Sequence, residues 1–175
     1  GFPKIFIAKA LENTDKRIAE DKGVAPYFLI STFLWDAVKQ QVEIELASGA
    51  PENIAYQHAA SKVLAQQAQS TTLPKYVSFS MRDIWGLQPR FTQRNGARPY
   101  KLLTHPKFRA AYDFLVLRAE TGGADKLLAD WWTDFQIADE FKQKKMIASV
   151  NNSFPKKRRR RKKPVAKQET KVNHE

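Results

Sequence analysis

The chain contains no cysteine. That absence excludes disulfide staples, thiolate zinc sites and cysteine nucleophiles together. Histidine is nearly as scarce, and the three present, His58, His105 and His174, are spaced too widely to suggest a histidine metal cage. Glycine is sparse too. Its one adjacent pair, Gly122-Gly123, is followed by Ala124 and Asp125 rather than Lys-Ser or Lys-Thr, so it reads as a helix stop and not as a phosphate loop. Long apolar runs are also missing. The longest, from Tyr27 to Trp35, is interrupted by Ser31 and Thr32 and closed by Asp36. A membrane helix needs roughly 20 consecutive apolar residues. No secretory signal is visible. The expectation is a soluble, intracellular protein with one or two small cores. The chain opens on Gly1 with the apolar pattern already under way at Phe2, Ile5 and Phe6. Such a beginning reads as that of a processed product or the C-terminal piece of something longer.

What is abundant is positive charge. Lys and Arg number 30 against 18 Asp and Glu, a net charge of +12. The excess is confined to two blocks. Residues 75–118 carry 9 basic and 2 acidic side chains, net +7, and residues 154–175 carry 10 and 2, net +8. The remaining stretches, 1–74 and 119–153, are slightly acidic.

The last block holds eight consecutive cations, Lys156, Lys157, Arg158, Arg159, Arg160, Arg161, Lys162 and Lys163, between Pro155 and Pro164. Adjacent like charges repel and no apolar period accompanies them, which predicts a disordered tail. Nucleic-acid phosphate is the partner that best matches such density, since each contacting cation releases a condensed counterion. A nuclear-import signal or an anionic membrane surface would use similar residues.

Helix signals dominate the rest. Pro26 opens a segment that runs to residue 48 before Gly49, with Ile30, Phe33, Leu34, Ala37 and Ile44 on one stripe. Trp35, Val42 and Leu46 form a second stripe, which predicts a central helix with neighbours on both sides. Further helices are expected over 51–69, 78–88 and 105–121, with a last one over 125–137. Pro89 should kink or end the helix over 78–88, and Asn95-Gly96 with Pro99 should make a turn. Nothing alternates like a strand. The expected fold class is all-α, a helical bundle-like body with a disordered basic C-terminal tail. The expected division is a helical RNA-binding body segment over 1–72, a second helical segment over 73–140 and the tail over 141–175.

No complete active site is legible, so no catalytic or metal-ligating residue is assigned. His105 before Pro106 reads as a turn-maker, and His58 among Gln57, Ala59 and Ala60 reads as a half-buried packing residue. Glu43 and Glu45, two apart on a helix, point in different directions and read as surface charge.

The block 75–118 carries a different signal. Arg82, Arg90, Arg94, Arg98, Lys101, Lys107 and Arg109 are interleaved with Tyr76, Phe79, Trp85, Phe91, Tyr100 and Phe108. Single-stranded RNA offers partners to both kinds of side chain, phosphates for the cations and base faces for the rings. Trp85, Phe108 and Phe114 are assigned to the core. The seven cations are assigned to RNA, with those around Asn95-Gly96 forming a phosphate-binding loop, because no acid falls between Asp83 and Asp113.

These residues also carry a family pattern. Arg82-Asp83-Ile84-Trp85, Leu87-Gln88, Arg90, Arg94, Gly96 and Arg98 resemble the C-terminal region of the bacterial poly(A) polymerase I family. So do the run from His105 to Asp113, Leu117-Arg118-Ala119-Glu120, Trp131-Trp132 with Phe135-Gln136, and the arginine-rich tail. Asn13-Thr14-Asp15 with Arg17 and Ala19 is similar more weakly, and Pro89 and Pro99 depart from the pattern. The resemblance implies a helical body that holds RNA 3′ ends, behind a nucleotidyltransferase head that adds AMP from ATP. The head's Gly-Gly or Gly-Ser loop and magnesium-binding Asp-x-Asp pair are absent from this sequence, so this chain is expected to be inactive alone. ATP and Mg2+ belong to the head, with no cofactor expected on this chain. RNA-decay proteins are candidate partners, no membrane is expected to be one, and the bacterial cytoplasm is the implied location. The rival reading is a stand-alone RNA chaperone or ribosome-associated RNA-binding protein without enzymatic activity.

Overall fold

Proline and glycine set most of the helix boundaries. A computed structural model describes residues 2–153, with the side chains of residues 2 and 3 excepted. The described elements are α1 (Phe2–Ala19), α2 (Pro26–Ala47), α3 (Glu52–Ala68), α4 (Lys75–Leu87), a 3-10 turn (Gln88–Thr92), α5 (Arg98–Leu103), α6 (Phe108–Glu120), α7 (Lys126–Ile137) and α8 (Glu140–Asn152). Among the described residues there is no strand, and the fold is all-α.

Pro26 stands in the first turn of α2, while Pro51 and Pro74 occupy the N-caps of α3 and α4. A missing N–H costs nothing at those positions, because the first turn has no partners for its donors. At the other end of α2, Gly49 adopts φ +93°. This left-handed conformation lets the amide of Ala50 reach back to the carbonyl of Glu45 at 3.1 Å, closing the helix as a Schellman turn.

Three boundaries differ from expectation. Helix α4 begins at Lys75 rather than at 78. Its end is as expected: the α-helix stops at Leu87 and tightens into the 3-10 turn, since Pro89 has no N–H to return to a carbonyl four residues back. Pro99 does not make a turn: it stands in the first turn of α5. Helix α6 begins at Phe108 rather than at His105, which instead accepts the amide of Lys107 on Nδ1 at 3.0 Å and holds the preceding turn.

Two apolar cores share α6. The first gathers Phe6, Trp35, Val38, Ala55, Ala59, Met81, Ile84 and Trp85 around Phe114 and Leu117. Phe114 meets Phe6, Phe28 and Trp35 edge-on, with centroids 5.5, 6.1 and 5.2 Å away. The second gathers Leu87, Phe91, Leu102, Phe108, Ala111, Leu115, Trp132, Phe135 and Ile147. Two indoles reach across helices to backbone acceptors. Trp85 Nε1 donates to the carbonyl of Ser31 at 3.2 Å, and Trp132 Nε1 to that of Phe91 at 2.9 Å.

Helix α2 packs against α1, α3, α4 and α6. Its buried side is Ser31, Thr32, Trp35, Val38, Val42 and Glu45, while Phe33, Ala37, Ile44 and Leu46 remain exposed. The helix is central as expected, but the first predicted stripe is covered only at Ile30 and Leu34, which pack against the first core. Ser31 and Thr32 tolerate burial because each hydroxyl donates to the carbonyl three residues back, at 2.6 Å.

Two further expectations are corrected. The tail does not begin at residue 141, because α8 continues to Asn152. Asp139 caps it by accepting the amide of Lys142 at 2.8 Å, and Gln143 Nε2 donates to the carbonyl of Phe135 at 2.9 Å. Glu45, expected as surface charge, is buried beneath α3. Its carboxylate accepts from Lys62 and from Gln41 (3.1 Å), and His58 Nδ1 lies 3.3 Å away. His58 is accordingly an exposed partner of that carboxylate rather than a half-buried packing residue.

Candidate nucleic-acid interface

The aromatic side chains of the basic block divide sharply by depth. Trp85, Phe91, Phe108 and Phe114 are buried, and so is Tyr112. Tyr100 is partly buried and its ring packs on Phe135, 5.7 Å between centroids. Only Tyr76 and Phe79, on α4, project their rings to the surface.

The cations divide by location. Arg82, on α4, donates from Nη1 to Ser61 Oγ of α3 at 2.7 Å. Arg90 lies in the 3-10 turn, Arg94 in the loop that follows, and Arg98 and Lys101 in α5. This stretch crosses Asn95 and Gly96, and Gly96 has φ +59°, a turn conformation that glycine adopts without strain. Arg98 and Lys101 are exposed, and Arg90 is partly so.

Arg94 is held more firmly. Its guanidinium lies over the Trp131 ring at 5.2 Å, and that ring stacks on Phe135 at 4.8 Å and 12°. Burial pushes the Arg94 pKa below the usual range, while the charge of Asp125 works the other way. Arg94 also borders a cleft of about 240 Å3 with Thr92, Asn95, Val150 and Asn151. The end of α8 thus borders the same cleft as the loop that carries Arg94.

Lys107 and Arg109 belong elsewhere. Both line a larger cleft of about 540 Å3 between α1, the loop into α2, and α6. Lys107 Nζ sits 4.5 Å from the centroid of Tyr27, and Arg109 Nε lies 3.4 Å from Asp113 Oδ1. Two cations missed as site candidates, Lys16 and Arg17, line this cleft from α1. Arg17 donates from Nε and Nη2 to the carbonyl of Gly23 at 3.3 and 3.0 Å, which shapes the loop. The weak family pattern at Asn13, Thr14, Asp15 and Arg17 was the one available signal. Glu20, Asp113 and Glu120 also line the cleft, so its charge is mixed. Burial raises the Asp113 pKa, opposed by the charges of Arg109 and Arg17. The seven predicted body cations therefore do not form one patch.

Arg118 faces inward. Its guanidinium lies 5.2 Å from the Trp35 centroid, and Nη1 donates to Gln88 Oε1 at 2.9 Å. Lys107 and Arg118, which a helical wheel sets on one edge of α6, are both taken up by aromatic rings of α2.

The tail cations, Lys156 to Lys163, lie outside the described residues. Among the described residues no group of three or more His, Cys, Asp or Glu is placed to hold a metal ion. No described helix is long and apolar enough to cross a membrane.

Fold and surface together define an all-α helical module whose basic block exposes Arg98, Lys101 and Arg109 together with the rings of Tyr76 and Phe79. Comparison with known proteins makes the class specific. Residues 48–164 match the family described as "Polymerase A arginine-rich C-terminus", and the chain belongs to that family. It is similar to Poly(A) polymerase I of Escherichia coli O157:H7, 40% identical over 162 residues that cover 91% of this chain and 35% of the relative. Poly(A) polymerase I of Salmonella typhimurium is 39% identical over the same coverage. That of Haemophilus influenzae is 32% identical over 171 residues, covering 97% of this chain and 38% of the relative. The chain thus spans little more than a third of the length of the curated relatives it matches.

Proposed function

We propose that this chain is the RNA-holding end of a polyadenylating enzyme. It grips single-stranded RNA near its 3′ end while a separate nucleotidyltransferase part adds AMP from ATP, the part to which ATP and Mg2+ belong. Such an enzyme acts in mRNA processing and decay in the bacterial cytoplasm, where RNA-decay proteins are further partners.

One observation carries the reading. The two basic blocks are separated in sequence by residues 119–153, which are net acidic. Yet Val150 and Asn151, at the end of α8, share a cleft with Thr92, Arg94 and Asn95. The tail cations begin only five residues beyond Asn151. Arg94, which Arg90, Arg98 and Lys101 flank in sequence, thereby lies beside the end of α8. In this reading one RNA strand engages both, the tail capturing phosphates and the loop setting the path.

The test measures binding of a single-stranded oligo(A) as a function of salt. Removal of residues 154–175 should weaken binding and flatten the log-log salt dependence by roughly four, for about six lost phosphate contacts. Replacing Arg90, Arg94 and Arg98 by Ala in the shortened chain should weaken binding further. An unchanged slope rules out the tail's role, and unchanged affinity of the triple variant reduces the loop arginines to solvated charge.

A further inference from the structure

Helix α4 exposes two aromatic rings that the cores do not use. Tyr76 is 65% exposed and Phe79 63% exposed, although the block's other aromatics are buried or partly buried. Among the described residues neither ring packs against another ring or lies beneath a cation. Three residues apart on a helix, they are surface neighbours, with Cβ atoms about 5–6 Å from each other. Asp83 and Gly86 continue the same stripe, and a Cβ at Gly86 would meet nothing within 4 Å. The stripe beyond the rings is therefore open.

Cations run beside these rings. Lys75 and Arg82 are seven residues apart, so they return to nearly the same angle and make a row parallel to the aromatic stripe. Arg82 is steadied by its bond to Ser61. A row of positive charge next to two solvent-facing rings is asymmetric. It matches a ligand with anions along one edge and flat apolar faces along the other. A nucleotide strand with unpaired bases has that form. Asp83, on the stripe, keeps phosphates toward the Lys75–Arg82 side and leaves the rings to the bases.

We propose that the Tyr76–Phe79 face of α4 is a base-stacking platform for single-stranded RNA, with Lys75 and Arg82 holding the adjacent phosphates. The proposal rests on the RNA-holding reading and adds a contact that depends on the bases, where the loop and tail contacts depend on charge.

The experiment uses the full chain and two fluorescent probes, a 20-nucleotide oligo(A) and a ribose-phosphate 20-mer without bases. The wild type should bind oligo(A) more tightly than the abasic strand. The double variant Tyr76→Ala/Phe79→Ala should lose about tenfold or more on oligo(A), the scale of one or two stacked bases. Its affinity for the abasic strand and its salt slope should stay at wild-type values. Tyr76→Phe should keep oligo(A) binding, since the ring and not the hydroxyl is used. Both rings are exposed, so the thermal midpoint of the double variant should match wild type. Equal losses on both probes, or none on either, overturn the platform; the second result would mean that the face serves a different partner. If the wild type binds neither probe, the RNA-holding reading itself falls, a result distinct from intact binding by the double variant.

Discussion

Arg118 of α6 donates from Nη1 to Gln88 Oε1 across thirty residues of sequence, at 2.9 Å. Gln88 is itself buried, and its Nε2 donates to the carbonyls of Ile84 and Ala111, at 2.8 and 3.2 Å. One amide therefore serves a cation and two helix carbonyls at the junction of the two cores. Burial disfavours the charge of this guanidinium, and neutral acceptors rather than a carboxylate receive its hydrogens: Gln88 Oε1 and the carbonyl of Gly123, the latter at 3.4 Å from Nη2.

Gln88→Leu should consequently cost about 2–3 kcal/mol, because it removes a bond to a buried cation and leaves two carbonyls without that donor. Urea unfolding checks this. Arg118→Met combined with Gln88→Leu should add less than it does alone, since the interaction would already be gone.

Glu45 sets an acid limit on stability. Hydrogen bonds from Lys62 first, then Gln41 and His58, lower its pKa from 4.5 to about 2, against the opposing effect of burial. A carboxylate depressed by folding contributes stability above its unfolded pKa and loses it as pH falls through the folded one. Stability should therefore drop between about pH 4.5 and pH 2 through this group. Glu45→Gln should show a flatter profile in that window when unfolding midpoints are compared.

Trp132 closes the second core and holds the carbonyl of Phe91, directly before the basic loop. Trp132→Phe should cost about 2–3 kcal/mol, from the lost bond and the space left by the smaller ring. Amide exchange of Phe91, Thr92 and Gln93 should quicken more than that of α3.

Arg94 and Arg98 should separate binding from stability. Arg98→Ala should weaken oligo(A) binding and leave the thermal midpoint unchanged, because the side chain is exposed. Arg94→Ala should weaken binding and also cost about 1 kcal/mol, through loss of its contact with Trp131. Equal midpoints for the two variants would contradict the anchoring of Arg94.

Much of this protein was determined by local sequence. Pro26, Gly49, Pro51 and Pro74 mark real helix ends, because each acts through its own backbone geometry and requires no distant partner. The basic block was legible from charge order alone, and the family pattern from the residues between Arg82 and Gln136. Helix α8 was missed for an equally local reason. Of its residues only Ile147 is buried, so no apolar stripe announced it, although Asp139 offered a cap.

Tertiary structure decided which faces have neighbours and which charges meet. A helical wheel cannot distinguish the covered stripe of α2 from the bare one carrying Phe33 and Ile44, since both are apolar. It cannot foresee that Glu45 lies beneath Lys62, or that Arg118 turns in to Gln88 and Trp35. The seven candidate cations read as one cluster because they are close in sequence. Packing of α6 against α1 and α2 carries Lys107 and Arg109 to one cleft, while α8 brings the chain back to Arg94. Side-chain type is written residue by residue, but adjacency depends on how helices cross, which is settled only when the two cores close around Phe114 and Trp132.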